Sequence, residues 1–210
     1  MKSVINILLA ATIIILAFLL YESIMDPIRF NKERDIRETA VKEKLIDIRS
    51  AQVLFRSKYG RYTGSFDTLI NFIKYDSLPI VFRKGQVTDQ MIKDKIDEKE
   101  AIKRGLIIRD TSFVEITDSI FSIQYPIDSI RYVPYGKGAE FKLEAASLVT
   151  GSMVTVQVFE ASVLNDVFLQ GLDKQLIINY NALRMEITKF AGMRVGNIVE
   201  PNNNAGNWEN

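Results

Sequence analysis

The chain has 210 residues, with 27 basic and 26 acidic side chains well mixed along it and a net charge of +1. No basic block stands out, which argues against a nucleic-acid partner. There is no cysteine and no histidine, so disulfides, thiol catalysis, a lipobox anchor, the commonest general base and the commonest transition-metal ligand are all excluded.

The first element is apolar. Residues 3–21 carry no charge and are mostly Ile, Leu, Ala and Phe. As a helix rising 1.5 Å per residue they reach about 28 Å, close to the hydrocarbon thickness of a bilayer. Val4, Ile7, Leu8, Ile14, Phe18 and Leu20 are the anchor residues of this span. Lys2 ahead of an apolar core also fits a secretory signal, but residues 17–23 offer no small-x-small cleavage site and the run is long for a signal core. An uncleaved anchor over residues 1–25 is the expectation. Arg29, Lys32, Arg34 and Arg37 follow the span, and by the positive-inside rule they point to a cytoplasmic C-terminal domain; large domains translocate despite such charge, so composition leaves the side open.

Charge begins at Glu22 and Asp26, and Pro27 follows, with a kink expected near Ser23. Residues 26–60 read as an amphipathic stalk helix. Val41, Leu45, Ile48, Gln52, Phe55 and Tyr59 recur in steps of four and three, one face of a helix that serves spine packing or assembly. Glu33 with Arg37 and Glu38 with Lys42 are i, i+4 pairs with the acid first. Gly60 to Gly64 closes the stalk in a turn.

Beyond the turn, Ser65 is placed to cap a short helix over 66–75 with Phe66, Leu69, Ile70 and Ile73 on one face. Residues 78–82 suggest a strand, and a charged surface helix runs from Thr88 or Asp89 to about Arg104, ending near Gly105. The pattern then shifts to period two. Strands are expected at 106–109, 112–116, 129–134, 140–144 and 155–159, separated by Asp110, Asp118, Pro126, Gly136-Lys137-Gly138 and Gly151-Ser152. Phe141, Leu143 and Ala145 alternate with charged residues, as in a strand with one wet face. Val167 to Leu176 suggests a short helix or loop over the sheet, and 193–199 a last strand. Residues 61–201 thus form one α+β domain, and 202–210 a polar tail. The whole reads as an α+β chain: a long N-terminal helix (membrane span plus amphipathic stalk), then an antiparallel β-sheet domain with short helices.

Ala51, Gln52 and Phe55 late in the stalk, the turn Tyr59-Gly60-Arg61-Tyr62, then Phe66 and Leu69, together resemble the type IV pilin-like proteins, in particular the type II secretion pseudopilins. The resemblance implies an apolar membrane helix continuing into a soluble amphipathic one, then an antiparallel sheet, in a bacterial inner-membrane protein whose domain lies in the periplasm. At the N-terminus the chain departs from the family: Lys2-Ser3-Val4 stands where a Gly–Phe processing junction would, and Leu8 where the family carries a glutamate.

Sites for chemistry are sparse. The acids mostly alternate with bases on exposed faces, as solvated surface charge does. Asp110, Asp118 and Asp128 fall in turns, where sites are often built, yet they are also ordinary turn formers. Ser119, Ser122 or Ser129 with a lysine could make a Ser–Lys dyad, though no motif sets a serine on a strained turn. Gly136-Lys137-Gly138 is too short for a phosphate loop. Asn202-Asn203-Asn204 has few carboxylates nearby for calcium and reads better as a flexible tail. Tyr59, Tyr62, Phe66 and Phe72 could form an aromatic binding patch, though such a group is more often core where the spine meets the sheet. Trp208 is either a docking anchor for the tail or a contact for a partner. No catalytic residue, cofactor or metal site is assigned. The expected role is structural or assembly work in the cell envelope, with protein partners and homo-oligomerisation left open; the alternative is a membrane-tethered ligand-binding module built around residues 110–135.

Overall fold

The computed structural model describes residues 2–84, 108–116, 121, 125–151 and 153–209. The expected helix between Thr88 and Arg104, its stop at Gly105, and Asp118, Ser119, Ser122 and Ser152 lie outside these residues.

One helix, α1, runs from Lys2 to Tyr59 without interruption. It has 58 residues, about 87 Å at the usual rise. Pro27 sits inside it, so the boundary between anchor and stalk is one of composition and not of secondary structure. The helix ends as the Gly-x-x-x-Gly turn predicts: Gly60 adopts φ +72° and its N–H donates to the Arg56 carbonyl at 2.8 Å. That left-handed residue satisfies one of the last free carbonyls at little steric cost.

Helix α2, Phe66–Tyr75, is capped as its sequence requires: the Ser65 side chain accepts from the Thr68 N–H. Its Phe66, Leu69, Ile70, Phe72 and Ile73 are buried. Strands β1 (Ser77–Lys84) and β2 (Ile108–Glu115) form an antiparallel two-stranded sheet. The strands expected at 106–109 and 112–116 are therefore one strand where described. Asp110 is inside it, opposite Phe82, not in a turn.

The segment expected as a strand at 129–134 is instead a 3₁₀ turn, Ile127–Arg131, followed by a single bridge between Tyr132 and Glu140. Pro126 precedes it, and the Ser129 N–H closes back onto the Pro126 carbonyl at 2.8 Å, the tighter hydrogen-bond pattern that ends extended pairing. The Gly136-Lys137-Gly138 stretch is a turn joining the two sides of that bridge, with the Val133 N–H donating to the Ala139 carbonyl at 2.8 Å.

A three-stranded antiparallel sheet follows, in the order β3 (Lys142–Val149), β4 (Thr155–Leu164), β5 (Gly192–Gly196). The central strand β4 is buried on both faces in its second half, with Val158, Phe159, Ala161 and Val163 all in the core. In β3, Leu143 is buried but Ala145 is exposed; the strand leaves the core before the alternation is complete. Gly192 and Gly196 bracket β5. A Cβ at either would stand 2.1 Å from a β4 carbonyl oxygen, so only glycine allows the two strands to approach so closely.

Between β4 and β5 lie α3 (Asn165–Phe168) and α4 (Lys174–Thr188). The second is a 15-residue helix that the sequence reading reached only at its first turn. Its start is nonetheless marked: the Asp173 side chain accepts from the Leu176 N–H at 2.9 Å.

The core lies where α1 meets the rest of the domain. Phe30, Val41, Leu45, Ile48, Ala51 and Phe55 are all buried there, together with Leu69, Ile73, Ile130, Phe159, Phe168 and Val195. The architecture is α+β, with one long N-terminal helix and a small antiparallel sheet packed on its second half.

Candidate functional site

The anchor residues stand clear of every other element. Val4, Ile7, Leu8, Ile14, Phe18 and Leu20 are each about two-thirds exposed. Such a continuous apolar surface is far larger than soluble monomers leave bare. By length and composition this end of α1 is a candidate membrane span. The Thr12 hydroxyl donates to the Leu8 carbonyl at 2.9 Å, which satisfies the one hydroxyl in the middle of the span as a bilayer requires.

The stalk stripe is sorted differently. Val41, Leu45, Ile48 and Gln52 are fully buried and Phe55 nearly so, whereas Tyr59, at the helix end, is half exposed. The covering surface is the chain's own domain, so this stripe is packing and not a face left for another subunit. Gln52 shows why a polar residue occupies an apolar stripe. Its Nε2 donates to the Thr63 carbonyl at 2.6 Å and its Oε1 accepts from the Thr63 N–H at 3.1 Å. One side chain thereby satisfies both backbone groups of a residue in the turn. Phe55 meets Phe72 edge-on with ring centroids 5.1 Å apart, and Tyr62 lies 4.8 Å from Phe159. The expected aromatic junction of Tyr62, Phe66 and Phe72 is buried; Tyr59 sits at its rim, donating to Asp76 Oδ2 at 2.6 Å.

Nearer the span the stripe continues as Phe30, Arg34 and Arg37. Arg37 pairs with Glu33 at 2.9 Å, the spacing expected from the sequence. It also donates to the Phe168 and Gln170 carbonyls, both at 3.0 Å, and so terminates α3. Glu38, expected to pair with Lys42, accepts from the Tyr180 hydroxyl. Burial and that hydrogen bond push the Tyr180 phenol above its ordinary range.

One polar cluster brings chemistry-bearing groups together. Lys44 Nζ donates to Ser129 Oγ at 3.1 Å and to Tyr125 Oη at 2.9 Å, and Tyr125 donates to Asp47 Oδ2 at 2.6 Å. Burial lowers the Lys44 pKa, and the nearby Asp47 opposes that. Burial, then the bond to Asp47, pushes the Tyr125 phenol far above its usual range. The pair is the Ser–Lys geometry that the sequence left open. Here Lys44 donates to the Ser129 hydroxyl, and the Ser129 N–H donates to the Pro126 carbonyl. The cluster pins the 3₁₀ turn to the stalk. Asp128, next in the same turn, pairs with Lys74 at 2.7 Å and is mostly exposed, an ordinary surface ion pair.

The C-terminal tail is not free. Gly206 bridges Val195 on the outer edge of β5, and the Asn207 N–H donates to the Arg194 carbonyl at 3.0 Å. Asn204 donates to the Tyr62 hydroxyl at 2.8 Å, and Arg49 on the stalk pairs with Glu209 at 2.7 Å. Trp208 packs partly buried against the core, its ring folded over Gly206 and facing Lys42. The tail is therefore an extra edge of the sheet, and Trp208 docks it. The sequence left Trp208 open between docking the tail and meeting a partner; the edge itself was not legible, because a run of Asn and Gly has no periodicity and its partners on the stalk and in the turn lie about 140 to 160 residues away.

Among the described residues, no group of three or more His, Cys, Asp or Glu side chains is arranged to hold a metal ion. Compared with known proteins, the chain matches no family model, no curated protein and no solved structure. Its order of a long apolar N-terminal helix followed by a small antiparallel sheet is loosely compatible with a pilin-like fold, and its one candidate membrane helix with a single-pass membrane protein.

Proposed function

We propose that this chain is a single-pass, membrane-anchored cell-envelope protein with a structural or assembly role, pseudopilin-like in plan, carrying its domain in the periplasm and catalysing no reaction. The observation that carries the reading is the contrast along α1: an apolar end exposed on all sides, continuous with a half that is locked into a folded domain. A continuous helix sets the height of that domain above a bilayer.

Because Val41, Ile48 and Phe55 are covered by their own domain, subunits of an assembly would meet through the span and through the stalk's outward face. Ile28, Ile36 and Val53 are exposed apolar residues on that face. The same coverage supports a second reading, a self-contained ligand-binding module tethered to the membrane.

The test uses the natural absence of cysteine. Val53→Cys in the full chain is expected to label with a membrane-impermeant maleimide in spheroplasts, before lysis, and to give disulfide-linked homodimers on oxidation. Labelling only after lysis would place the domain in the cytoplasm. Labelling without dimers would remove the assembly reading and leave the tethered module.

A further inference from the structure

Three cations gather on one side of the domain, away from the stripe and the span. Arg184 and Lys189 come from the end of α4, and Arg194 from β5. With Asn197, Glu200, Asn202, Asn207 and Trp208 they line a cleft of about 580 Å³. Among the described residues only Arg194 of the three has a carboxylate within 4 Å, Glu160 at 3.7 Å. The amides are already committed. Asn207 holds the Arg194 N–H and the Gly192 carbonyl, Asn202 donates to the Ala205 carbonyl, and Asn197 accepts from Val199 and Glu200. They build the wall, and against the carboxylates of Glu200 in the lining and Glu160 beside Arg194 the three cations leave the cleft a net positive charge.

Part of this charge has a local use. Lys189 caps α4 in a left-handed conformation, φ +57°, and its Nζ donates to the Glu186 carbonyl at 3.1 Å, a favourable place for a cation. Capping does not account for Arg184. One of its terminal nitrogens donates to the Gly192 carbonyl at 3.2 Å, while its Nε is buried with no hydrogen-bond partner among the described residues. A charged donor left so is costly, and native structures rarely keep one without a ligand, ion or water nearby.

We propose that this cleft binds a small phosphate-bearing solute. Two guanidiniums and an ammonium supply more donors than the protein uses, and they match the oxygens of a phosphoryl group. A free solute is favoured over a lipid headgroup by position. Trp208, in the lining, faces Lys42, which is 21 residues beyond the end of the apolar run at Tyr21 and so roughly 30 Å farther along the helix. The inference rests on the tethered-module reading and gives it a ligand class.

The experiment is a titration of the full chain, in nanodiscs of zwitterionic lipid, with inorganic phosphate against chloride at matched ionic strength. Saturable binding to phosphate but not chloride is expected, monitored by Trp208 fluorescence, the only tryptophan in the chain. Arg194→Gln and, separately, Lys189→Asn should each weaken it about tenfold, as expected for the loss of one charge-assisted contact. Asparagine tolerates the left-handed backbone at 189, so that variant should fold even if Arg194→Gln does not. Equal responses to phosphate and chloride would overturn the site. Phosphate binding unchanged in a folded Lys189→Asn variant would also overturn it, while leaving a tethered ligand-binding module with its pocket elsewhere. Binding seen only in nanodiscs containing phosphatidic acid would overturn the solute and assign the cleft to a headgroup.

Discussion

The two halves of α1 share one backbone geometry and face different solvents. Over residues 4–21, apolar residues cover every side and all of them are exposed: Ile14 and Ile15 are as open as Leu8 and Leu9. In the second half, full burial is confined to a stripe, and most of the charged residues lie off it. A helix that is apolar all round has to be buried all round, by protein or by lipid; a helix with one apolar stripe needs only one covering surface. The comparison teaches that the anchor gains nothing from the domain and the stalk depends on it.

The largest effect that tests this contrast is in the stalk. Phe55→Ala should destabilise the domain by about 3–5 kcal/mol, read as a lower denaturant midpoint with membrane association intact. An unchanged midpoint would mean that the ring is not packed as described. In the anchor, Ile14→Arg should cost about 2.5–3.5 kcal/mol of insertion while leaving the domain's midpoint where it was. Alkaline extraction of membranes would show the variant moving to the soluble fraction; retention there in full would end the single-span reading.

A smaller loss is expected at the polar position of the stripe. Gln52→Leu fits the apolar environment but leaves the N–H and carbonyl of Thr63 without their partner, at about 1–3 kcal/mol. If the stripe is merely hydrophobic, the same variant will instead be neutral or stabilising in thermal melts.

The smallest effect concerns the docked tail. The hydrogen bond from Arg49 holds the Glu209 carboxyl below the ordinary glutamate range. A carboxyl whose folded pKa is depressed contributes its stability above the unfolded value of about 4.3 and loses it as pH falls through the folded one. Glu209→Gln should therefore flatten the fall of the melting temperature below about pH 4.3 and change little at neutral pH. A parallel fall in both proteins would show that the tail's ion pair carries no stability.

Local patterns were enough for the long helix, its apolar end, the stripe, the glycine stop and the Ser65 cap, because each depends on residues within a turn or two of one another. Parts of β3 and β4 were visible for the same reason, through their alternation: strands were expected at 140–144 and 155–159, where β3 spans Lys142–Val149 and β4 Thr155–Leu164. What only the tertiary structure decided involves distant partners. Asp110 became a strand residue because β1 pairs with it, and 129–134 a 3₁₀ turn because Pro126 and Lys44 hold it. The Asn-rich tail became a sheet edge because β5, Tyr62 and Arg49 accept it. Whether Val41, Ile48 and Phe55 faced their own domain or another subunit was open in the sequence too. Periodicity records that a face must be covered; it does not record by what.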